Sequence, residues 1–202
     1  MTTQPDLFDG IVARTVATDR LAVNVLLRED DDPTTPADRT VVLVHGNVSS
    51  ALFWQEIMQD LPGDVRVIAV DLRGFGGSES LPIDATRGVR DFSDDVHATL
   101  EALGVAAPHL VGWSMGGGVV MQYAIDHPVA SLTLQAPVSP YGFGGTRRDG
   151  SRLTDDDAGC GDGDVLLGLE LQVDGACGEP GCLDDVRHGG ALEAFLGEAA
   201  QG

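Results

Sequence analysis

The sequence predicts an α/β fold built on a mostly parallel, doubly wound sheet that opens with an antiparallel hairpin. Strand-like and helix-like segments alternate between residues 11 and 137, which is typical of a parallel sheet with helices on both faces. Several strand candidates are unbroken runs of branched apolar residues, the pattern of strands buried on both faces. Two β-rich runs near the N-terminus are close enough in sequence to pair as the hairpin.

The first predicted elements are this hairpin and one buried strand. The hairpin comprises IVARTVAT at residues 11–18 and LAVNVLLRE at residues 21–29, and the loop DDDPTTPAD stops its second strand. The next strand is VVLVHG at residues 41–46, an apolar run without polar alternation. We expect this strand to be buried on both faces of the sheet.

A first helix is predicted to follow that strand. Ser49 or Ser50 is a candidate N-cap, and Pro62-Gly63 ends the helix. Three apolar residues between these limits recur at four-residue spacing: Phe53, Ile57 and Leu61. The spacing predicts that they share one face of the helix.

The remaining elements complete the alternation. RVIAVDLRG at residues 66–74 is a buried-type strand, and a helix is predicted from about residue 91 to residue 104. A strand at 109–114, a helix at 115–127 and a strand at 129–137 follow. One apolar stripe marks the helix before them: Phe92, Val96, Leu100 and Leu103.

The charge of the chain restricts its partners and its solvent. It has 202 residues with 32 acidic and 12 basic side chains, a formal net charge of −20, and every basic residue is Arg. Such a charge repels nucleic acid and anionic membranes, so neither is expected as a partner. The composition resembles the proteomes of halophilic archaea, which keep molar salt in the cytoplasm; the alternative is an ordinary acidic protein from a GC-rich genome.

No targeting segment, metal site or disulfide framework is expected. The N-terminal MTTQPDLFDG lacks the basic and apolar regions of a leader, and no long apolar run follows, so we expect a soluble, cytoplasmic protein. Cys160, Cys177 and Cys182 are an odd number, and their spacing lacks the paired pattern of a zinc site. The sequence does not indicate an oligomeric state.

The motif Gly112-Trp113-Ser114-Met115-Gly116 matches G-x-S-x-G between a predicted strand and a predicted helix. In that context the pattern is typical of a nucleophile elbow, a sharp turn in which small flanking residues let the strand and helix approach closely. The helix N-terminus beside the Ser also favours a developing anion. We therefore expect Ser114 to be a nucleophile; the alternative is a Ser in a Gly-rich turn without chemistry.

A second segment supplies a candidate oxyanion donor. The strand VVLVHG is followed by Asn47, and a backbone amide just after Gly46 is able to serve the same oxyanion as the amide of Met115. His45 is a less suitable base, because it precedes the Gly instead of lying in a separate loop. We expect His45 to shape the turn.

Three segments in this order resemble the N-terminal signatures of the α/β-hydrolase superfamily: HGNVSSALFW, VIAVDLRGFGGS and GWSMGGGVVMQYA. They lie within about residues 39–126, and with the flanking strands the resemblance covers roughly residues 10–140. It implies that Ser114 is the nucleophile and that the amides of Asn47 and Met115 form the oxyanion hole. Asp71, Arg73 and Gly74 resemble a structural turn of the family. A Ser in the elbow, where some relatives carry Asp, points to acyl chemistry and away from dehalogenases and epoxide hydrolases.

In this family an acid and then a His follow the nucleophile, and the sequence indicates neither clearly. His127 lies at the far end of the helix that begins beside Ser114, about 20 Å away at 1.5 Å per residue, which excludes it as base. His188 remains as a possible base, but a solvated loop His is the favoured interpretation of this residue. The acid candidates are equally open: Asp155, Asp156, Asp157, Asp184 and Asp185.

We expect two regions, an α/β-hydrolase core at residues 1–137 and a cap-like or aberrant, poorly ordered segment at 138–202. The last 45 residues hold all three Cys and 11 of the 27 Gly, and no strand of the earlier quality is evident from residue 158 onward. A shortened hydrolase and a frameshift near residue 158 are competing explanations. An incomplete C-terminal part through truncation or frameshift is the favoured interpretation.

The resulting hypothesis is a cofactor-free serine hydrolase that acts on a small ester, lactone or related acyl substrate. Its activity is expected to be impaired if the catalytic His is missing. One alternative is an inactive remnant or binding protein on the same fold, and another is a carbon–carbon bond hydrolase or perhydrolase. The aromatic residues near the elbow are either the lining of an acyl pocket or core packing: Phe53, Trp54 and Trp113.

Overall fold

A computed structural model describes residues 7–138 and the backbone of residues 170–174. These residues form a seven-stranded sheet in the order β1-β2-β4-β3-β5-β6-β7. The strands are β1 Ile11–Ala17, β2 Ala22–Arg28, β3 Thr40–Val44, β4 Arg66–Val70, β5 His109–Trp113, β6 Ser131–Gln135 and β7 Glu170–Asp174. The helices are α1 Gln55–Asp60, α2 Arg90–Ala102 and α3 Met115–Asp126.

The pairing of the strands confirms the predicted fold class. β1 and β2 form the antiparallel hairpin, and β2 joins the sheet antiparallel to β4. Strands β4, β3, β5 and β6 are parallel neighbours in that spatial order. Because parallel strands point the same way, the loops that follow β3, β4 and β5 meet at one edge of the sheet.

Helices cover both faces of the sheet. One apolar cluster combines Val42 and Val44 of β3 with residues of α2 and α3, whereas the other combines Leu43 of the same strand with Trp54 and Met58. Alternate residues of a strand point to opposite faces, so the two clusters lie on opposite sides. The predicted stripe of α2 faces the core, with Leu100 fully buried.

The first helix differs from its prediction. It begins as a 3-10 helix, Ala51–Trp54, before α1 continues as an α-helix. Phe53 and Ile57 are 47% and 41% exposed, whereas Trp54 and Met58 are buried. A 3-10 turn has three residues instead of 3.6, so it changes which residues face the sheet. Ser50 occupies the N-cap position, but its side chain forms no capping hydrogen bond.

Strand β7 was not predicted. It pairs antiparallel with β6, with Glu170 opposite Gln135 and Asp174 opposite Ser131. Its sequence ELQVD alternates polar and apolar residues and lacks the unbroken apolar run by which the parallel strands were recognised. The division into regions 1–137 and 138–202 stays a prediction, since most of the second region lies outside the described residues.

Within the described part of the chain, none of the helices combines the length and the apolar character that crossing a membrane requires.

Candidate active site

Ser114 occupies a strained turn between β5 and α3. Its backbone has φ 53° and ψ −118°, in the left-handed half of conformational space that residues with a Cβ rarely enter. It is the N-cap residue of α3, and its side chain is half-buried. The strand, the turn and the helix thus follow the order that the motif predicted.

Hydrogen bonds to the end of β6 hold this turn. The N–H of Ser114 donates to the carbonyl oxygen of Gln135 at 2.9 Å. Its carbonyl oxygen accepts from the N–H groups of Gly117 and Val138, each at 3.0 Å. The turn is therefore fixed on both sides of its strained residue, which offsets part of the cost of the conformation.

Two glycines allow β5, α3 and the end of β3 to approach one another. A Cβ on Gly112 would lie 2.5 Å from the carbonyl oxygen of Gly116 and from Cγ2 of Val120. A Cβ on Gly116 would lie 2.5 Å from the carbonyl oxygen of His45. Contacts this short are repulsive, so the small residues of the motif are required by the packing.

The loop after β3 lies directly against the elbow. A Cβ on Gly46 would come within 3.0 Å of the Cβ of Ser114 and 2.8 Å of Cε3 of Trp113. Asn47 follows at once and is exposed, and its side-chain oxygen accepts from the N–H of Val48 at 3.0 Å. The sheet thus brings together the two segments that were predicted to share an oxyanion.

The backbone amides of Asn47 and Met115 have no acceptor among residues 7–138. Met115 is the first residue of α3, whose opening N–H groups lack partners within the helix. Such amides are suitable donors to an oxygen that gains negative charge beside Ser114.

His45 uses both ring nitrogens inside the protein. Its Nδ1 donates to the carbonyl oxygen of Gly46 at 2.7 Å, and its Nε2 accepts from the N–H of Leu72 at 3.0 Å. The side chain is fully buried, and this burial lowers the pKa of the imidazole, so the ring is neutral. Since neither nitrogen is free to take a proton from Ser114, the predicted structural role is confirmed.

The turn after β4 is also structural, as the sequence predicted. The buried carboxylate of Asp71 accepts from Ala51 N–H at 2.6 Å, from Gly77 N–H at 2.8 Å and from Asn24 Nδ2 at 2.8 Å. The arrangement leaves this carboxylate no proton-transfer role. Gly74 has φ 76°, a conformation that glycine adopts without strain.

Arg73 fixes the same turn to α2. Its Nε and Nη2 donate to the two carboxylate oxygens of Asp95 at 2.5 Å and 2.7 Å, and its Nη1 donates to the carbonyl oxygen of Pro82. The hydrogen bond to Asp95 raises the pKa of Arg73, so the guanidinium keeps its charge.

The aromatic residues near the elbow divide into two groups. Trp54 is buried in the core on the α1 side of the sheet. Phe53 stacks on Trp113, with ring centroids 4.4 Å apart and an angle of 11° between the planes. Core packing therefore accounts for Trp54, whereas Phe53 and Trp113 form a partly exposed stacked pair, and Trp113 directly precedes Ser114 in the chain.

The structure describes none of the residues that remain candidates for the catalytic acid and base. His127 follows the distant end of α3 and stacks on His97 with ring centroids 3.6 Å apart. His188 lies outside the described residues, and so do all the acid candidates named above. Within residues 7–138, no side chain hydrogen-bonds to the hydroxyl of Ser114, and no group of three or more potential metal ligands occurs.

The hub at Asp71 is a feature that the sequence reasoning missed. The residues of DLRGFGGS suggested a turn but not its link to Ala51, which lies just beyond the loop that follows β3. Gly76 is the signal that was available: it has φ 52°, and a Cβ there would collide with the Asp71 carboxylate. In this chain the glycine five residues after the buried Asp71 lets the loop fold back over that side chain.

Comparison with known proteins decides the family. A family model described as the alpha/beta hydrolase fold matches residues 39–156, which include all three motifs. The chain belongs to the α/β-hydrolase family. The match extends over more than half of the chain.

Individual relatives of this α/β-hydrolase match its N-terminal part. A protein of Variovorax paradoxus (strain S110), named as a carbamate hydrolase, RutD, is 42% identical over 103 residues, which are 49% of this chain and 38% of that protein. The 2-hydroxymuconate semialdehyde hydrolase of Pseudomonas sp. (strain CF600) is 37% identical over 91 residues, covering 44% of this chain and 32% of the relative.

A solved structure shows the same fold. The 2-hydroxy-6-oxo-6-phenylhexa-2,4-dienoate hydrolase of Rhodococcus sp. strain RHA1 superposes with a TM-score of 0.54 at 28% sequence identity. The superposition covers 63% of this chain and 47% of the Rhodococcus chain. This α/β-hydrolase chain therefore spans less than half the length of each of these three relatives.

Proposed function

We propose that this chain acts as a cofactor-free serine hydrolase on a small ester, lactone or related acyl compound. The observation that carries the proposal is Ser114 in a left-handed turn, with the amide-bearing loop after Gly46 against its side chain. The Ser114 hydroxyl would attack the carbonyl carbon and form a tetrahedral intermediate. The N–H groups of Asn47 and Met115 would donate to the resulting oxyanion.

The electrostatic setting of Ser114 supports this proposal. Ser114 lies at the N-terminus of α3, a helix of 12 residues, where aligned peptide dipoles place a partial positive charge. In other hydrolases, removal of one oxyanion donor lowers the rate by about 10²–10³-fold. A Ser beside two amides that have no acceptor among residues 7–138 therefore suits acyl transfer.

We propose His188 as the general base, because His127 is stacked on His97 beyond the opposite end of α3. A Ser hydroxyl is a weak nucleophile until a base removes its proton. Loss of a triad member lowers rates by about 10⁴-fold or more in other serine hydrolases, so turnover depends strongly on this residue.

A carbon–carbon bond hydrolase is a second candidate function. Two of the proteins that this chain resembles are named as hydrolases of 2-hydroxymuconate semialdehyde and of 2-hydroxy-6-oxo-6-phenylhexa-2,4-dienoate. Perhydrolysis and a binding role without turnover are further alternatives on the same fold, because fold does not determine substrate.

We also propose that the protein works in a cytoplasm with molar salt, as its net charge of −20 suggests. At about 1 M salt the Debye length is near 3 Å, so like charges on the surface hardly repel one another. A small acyl compound is the only partner that we propose.

The test is turnover of p-nitrophenyl esters in molar KCl by the wild type, by Ser114→Ala and by Ser80→Ala. Ser80 is exposed and belongs to no motif of the site, so its variant is a matched control. We expect Ser114→Ala to lose at least 10³-fold in kcat/KM and Ser80→Ala to match the wild type. Equal turnover by all three proteins would refute a nucleophilic Ser114, and turnover by none of them would favour a binding role.

A further inference from the structure

The oxyanion loop, residues 46–50, is held at both ends by two consecutive residues of the turn after β4. At the entrance, Leu72 N–H donates to Nε2 of His45 at 3.0 Å. At the exit, Ala51 N–H donates to Oδ1 of Asp71 at 2.6 Å. The position of the loop relative to Ser114 is thus tied to a turn that contributes no group to the proposed chemistry.

Hydrogen bonds within the loop itself are local. Val48 N–H donates to Oδ1 of Asn47 at 3.0 Å, and Phe53 N–H donates to the carbonyl oxygen of Ser50 at 3.1 Å. Val48 has φ 55° and is 90% exposed, so packing does not hold the middle of the loop. The two anchors and the close pass of Gly46 therefore determine where the Asn47 amide points.

The exit anchor is rigid because its carboxylate is immobilised. Asp71 is 3% exposed, and its Oδ2 accepts from Gly77 N–H and from Asn24 Nδ2, each at 2.8 Å. Gly76 lies so close that any Cβ there would collide with the carboxylate. Charge-assisted hydrogen bonds of this kind are roughly twice as strong as neutral ones.

We propose that Asp71 is a positioning residue that sets the Asn47 amide for the oxyanion of the reaction. The proposal rests on the serine hydrolase function given above. Asp71 does not touch the substrate; it acts through Ala51, four residues after Asn47. A displacement of about 1 Å in a catalytic group can cost 10²-fold in rate, so release of this anchor is expected to act on chemistry.

The expected kinetic signature follows from when the oxyanion forms. The amide of Asn47 meets full negative charge only in the transition state and the tetrahedral intermediate. A displaced amide therefore lowers kcat while KM stays within about twofold of the wild type. A purely structural role would lower the folded fraction and leave kcat per folded molecule unchanged.

The test removes each side of the anchor in turn. Asp71→Ala deletes the acceptor, and Ala51→Pro deletes the donor while Asp71 stays in place. Pro is tolerated at the first position of a helical turn, and Ser50, with φ −152° and ψ 178°, has the extended backbone that precedes Pro. Ser131→Ala is the control, because it removes a hydrogen bond between β5 and β6, to His109, that involves neither Asp71 nor Ala51.

The quantities to be measured in the full chain are kcat, KM, the melting temperature and the 15N relaxation of the Asn47 amide. Asp71→Ala and Ala51→Pro should lose about 10²-fold in kcat with nearly constant KM, and the Asn47 amide should gain motion. Ser131→Ala should melt earlier but keep its kcat within about twofold.

Two outcomes would overturn the positioning role and the hydrolase function separately. Wild-type kcat per folded molecule and an unchanged Asn47 amide in Ala51→Pro would overturn the positioning role, even if Asp71→Ala fails to fold. Wild-type protein without Ser114-dependent turnover would refute the hydrolase function instead. In that case the relaxation of the Asn47 amide still tests the anchor by itself. Increased motion in Ala51→Pro would support it, and unchanged motion would contradict it.

Discussion

Ser114 has a strained backbone conformation, and nearby glycines leave the space that its tight turn requires. The small residues at 112 and 116 let strand and helix close around the Ser, and Gly46 lets the oxyanion loop touch it. The G-x-S-x-G motif predicted Ser114 and Met115, and the position just after VVLVHG predicted Asn47. The sequence did not predict the anchor at Asp71, because the partners of that carboxylate are separated from it by 6 to 47 residues.

Gly116→Ala tests whether this close approach is needed. The new Cβ would lie 2.5 Å from the carbonyl oxygen of His45, so the backbone must shift. We expect a loss of about 1–3 kcal/mol in the free energy of unfolding, measured by urea denaturation. Gly63→Ala is the control, since a Cβ there meets nothing within 4 Å. Equal stability of the two variants would contradict the packing argument.

At the scale of elements, the long periodic segments were predicted well and the short helix was not. The bounds of α2 and α3 agree with their predicted ranges to within about two residues. Helices of 12 to 13 residues are long enough for the apolar spacing to recur several times, so their pattern is recognisable in the sequence. The segment at 51–60 combines a 3-10 turn with a six-residue α-helix, too short for periodicity to identify the buried face. Strand β7 pairs with β6 across 34 intervening residues or more, a contact that local pattern does not reveal.

The contact between α2 and α3 includes a pair of stacked imidazoles. His97 and His127 have ring centroids 3.6 Å apart, and the hydroxyl of Tyr123 lies 3.5 Å from Nδ1 of His97. Burial raises the pKa of Tyr123 to about 12, so it is neutral at ordinary pH. Burial, and then the charge of His97, lower the pKa of His127, whereas three nearby carboxylates oppose this shift: Asp94, Glu101 and Asp126.

The lowered pKa of His127 predicts that the protein loses stability in acid. A folded-state pKa below the unfolded value means that the unfolded chain binds more protons, so stability is complete above about pH 6.5 and falls as pH decreases. Buried His45, whose pKa is also lowered, acts in the same direction. His127→Gln should therefore have a smaller loss of unfolding free energy between pH 7 and pH 5 than the wild type. An identical pH dependence in chemical denaturation would show that the stacked pair does not contribute.

For the molecule as a whole, the sequence alone gives the net charge of −20. The fold adds where the ion pairs among the described residues lie. Acidic residues outnumber basic ones by 32 to 12, so the chain carries a large surplus of negative charge. The ion pairs of the described residues concentrate at the start of α2, where Arg20, Arg73 and Arg87 meet Asp91, Asp94 and Asp95. The remaining acids repel one another at low salt.

The melting temperature should therefore rise between 0.1 M and 2 M KCl. Screening removes the repulsion among the surplus acids, and this gain should exceed the weakening of exposed ion pairs, each of which contributes about 0–1 kcal/mol. Sucrose at matched osmolarity is the control for the general effect of excluded solutes. Equal melting temperatures at both KCl concentrations would contradict adaptation to molar salt.

The most direct test of Ser114 as the nucleophile is to label the full chain with a fluorophosphonate probe in molar KCl and then to map the labelled peptides. The probe phosphonylates a Ser only where the hydroxyl is activated beside an oxyanion site. We predict a single adduct on the peptide that contains Ser114, absent from Ser114→Ala and retained in Ser80→Ala. No adduct in the wild type, or an adduct on another residue that persists in Ser114→Ala, would contradict the proposed nucleophile.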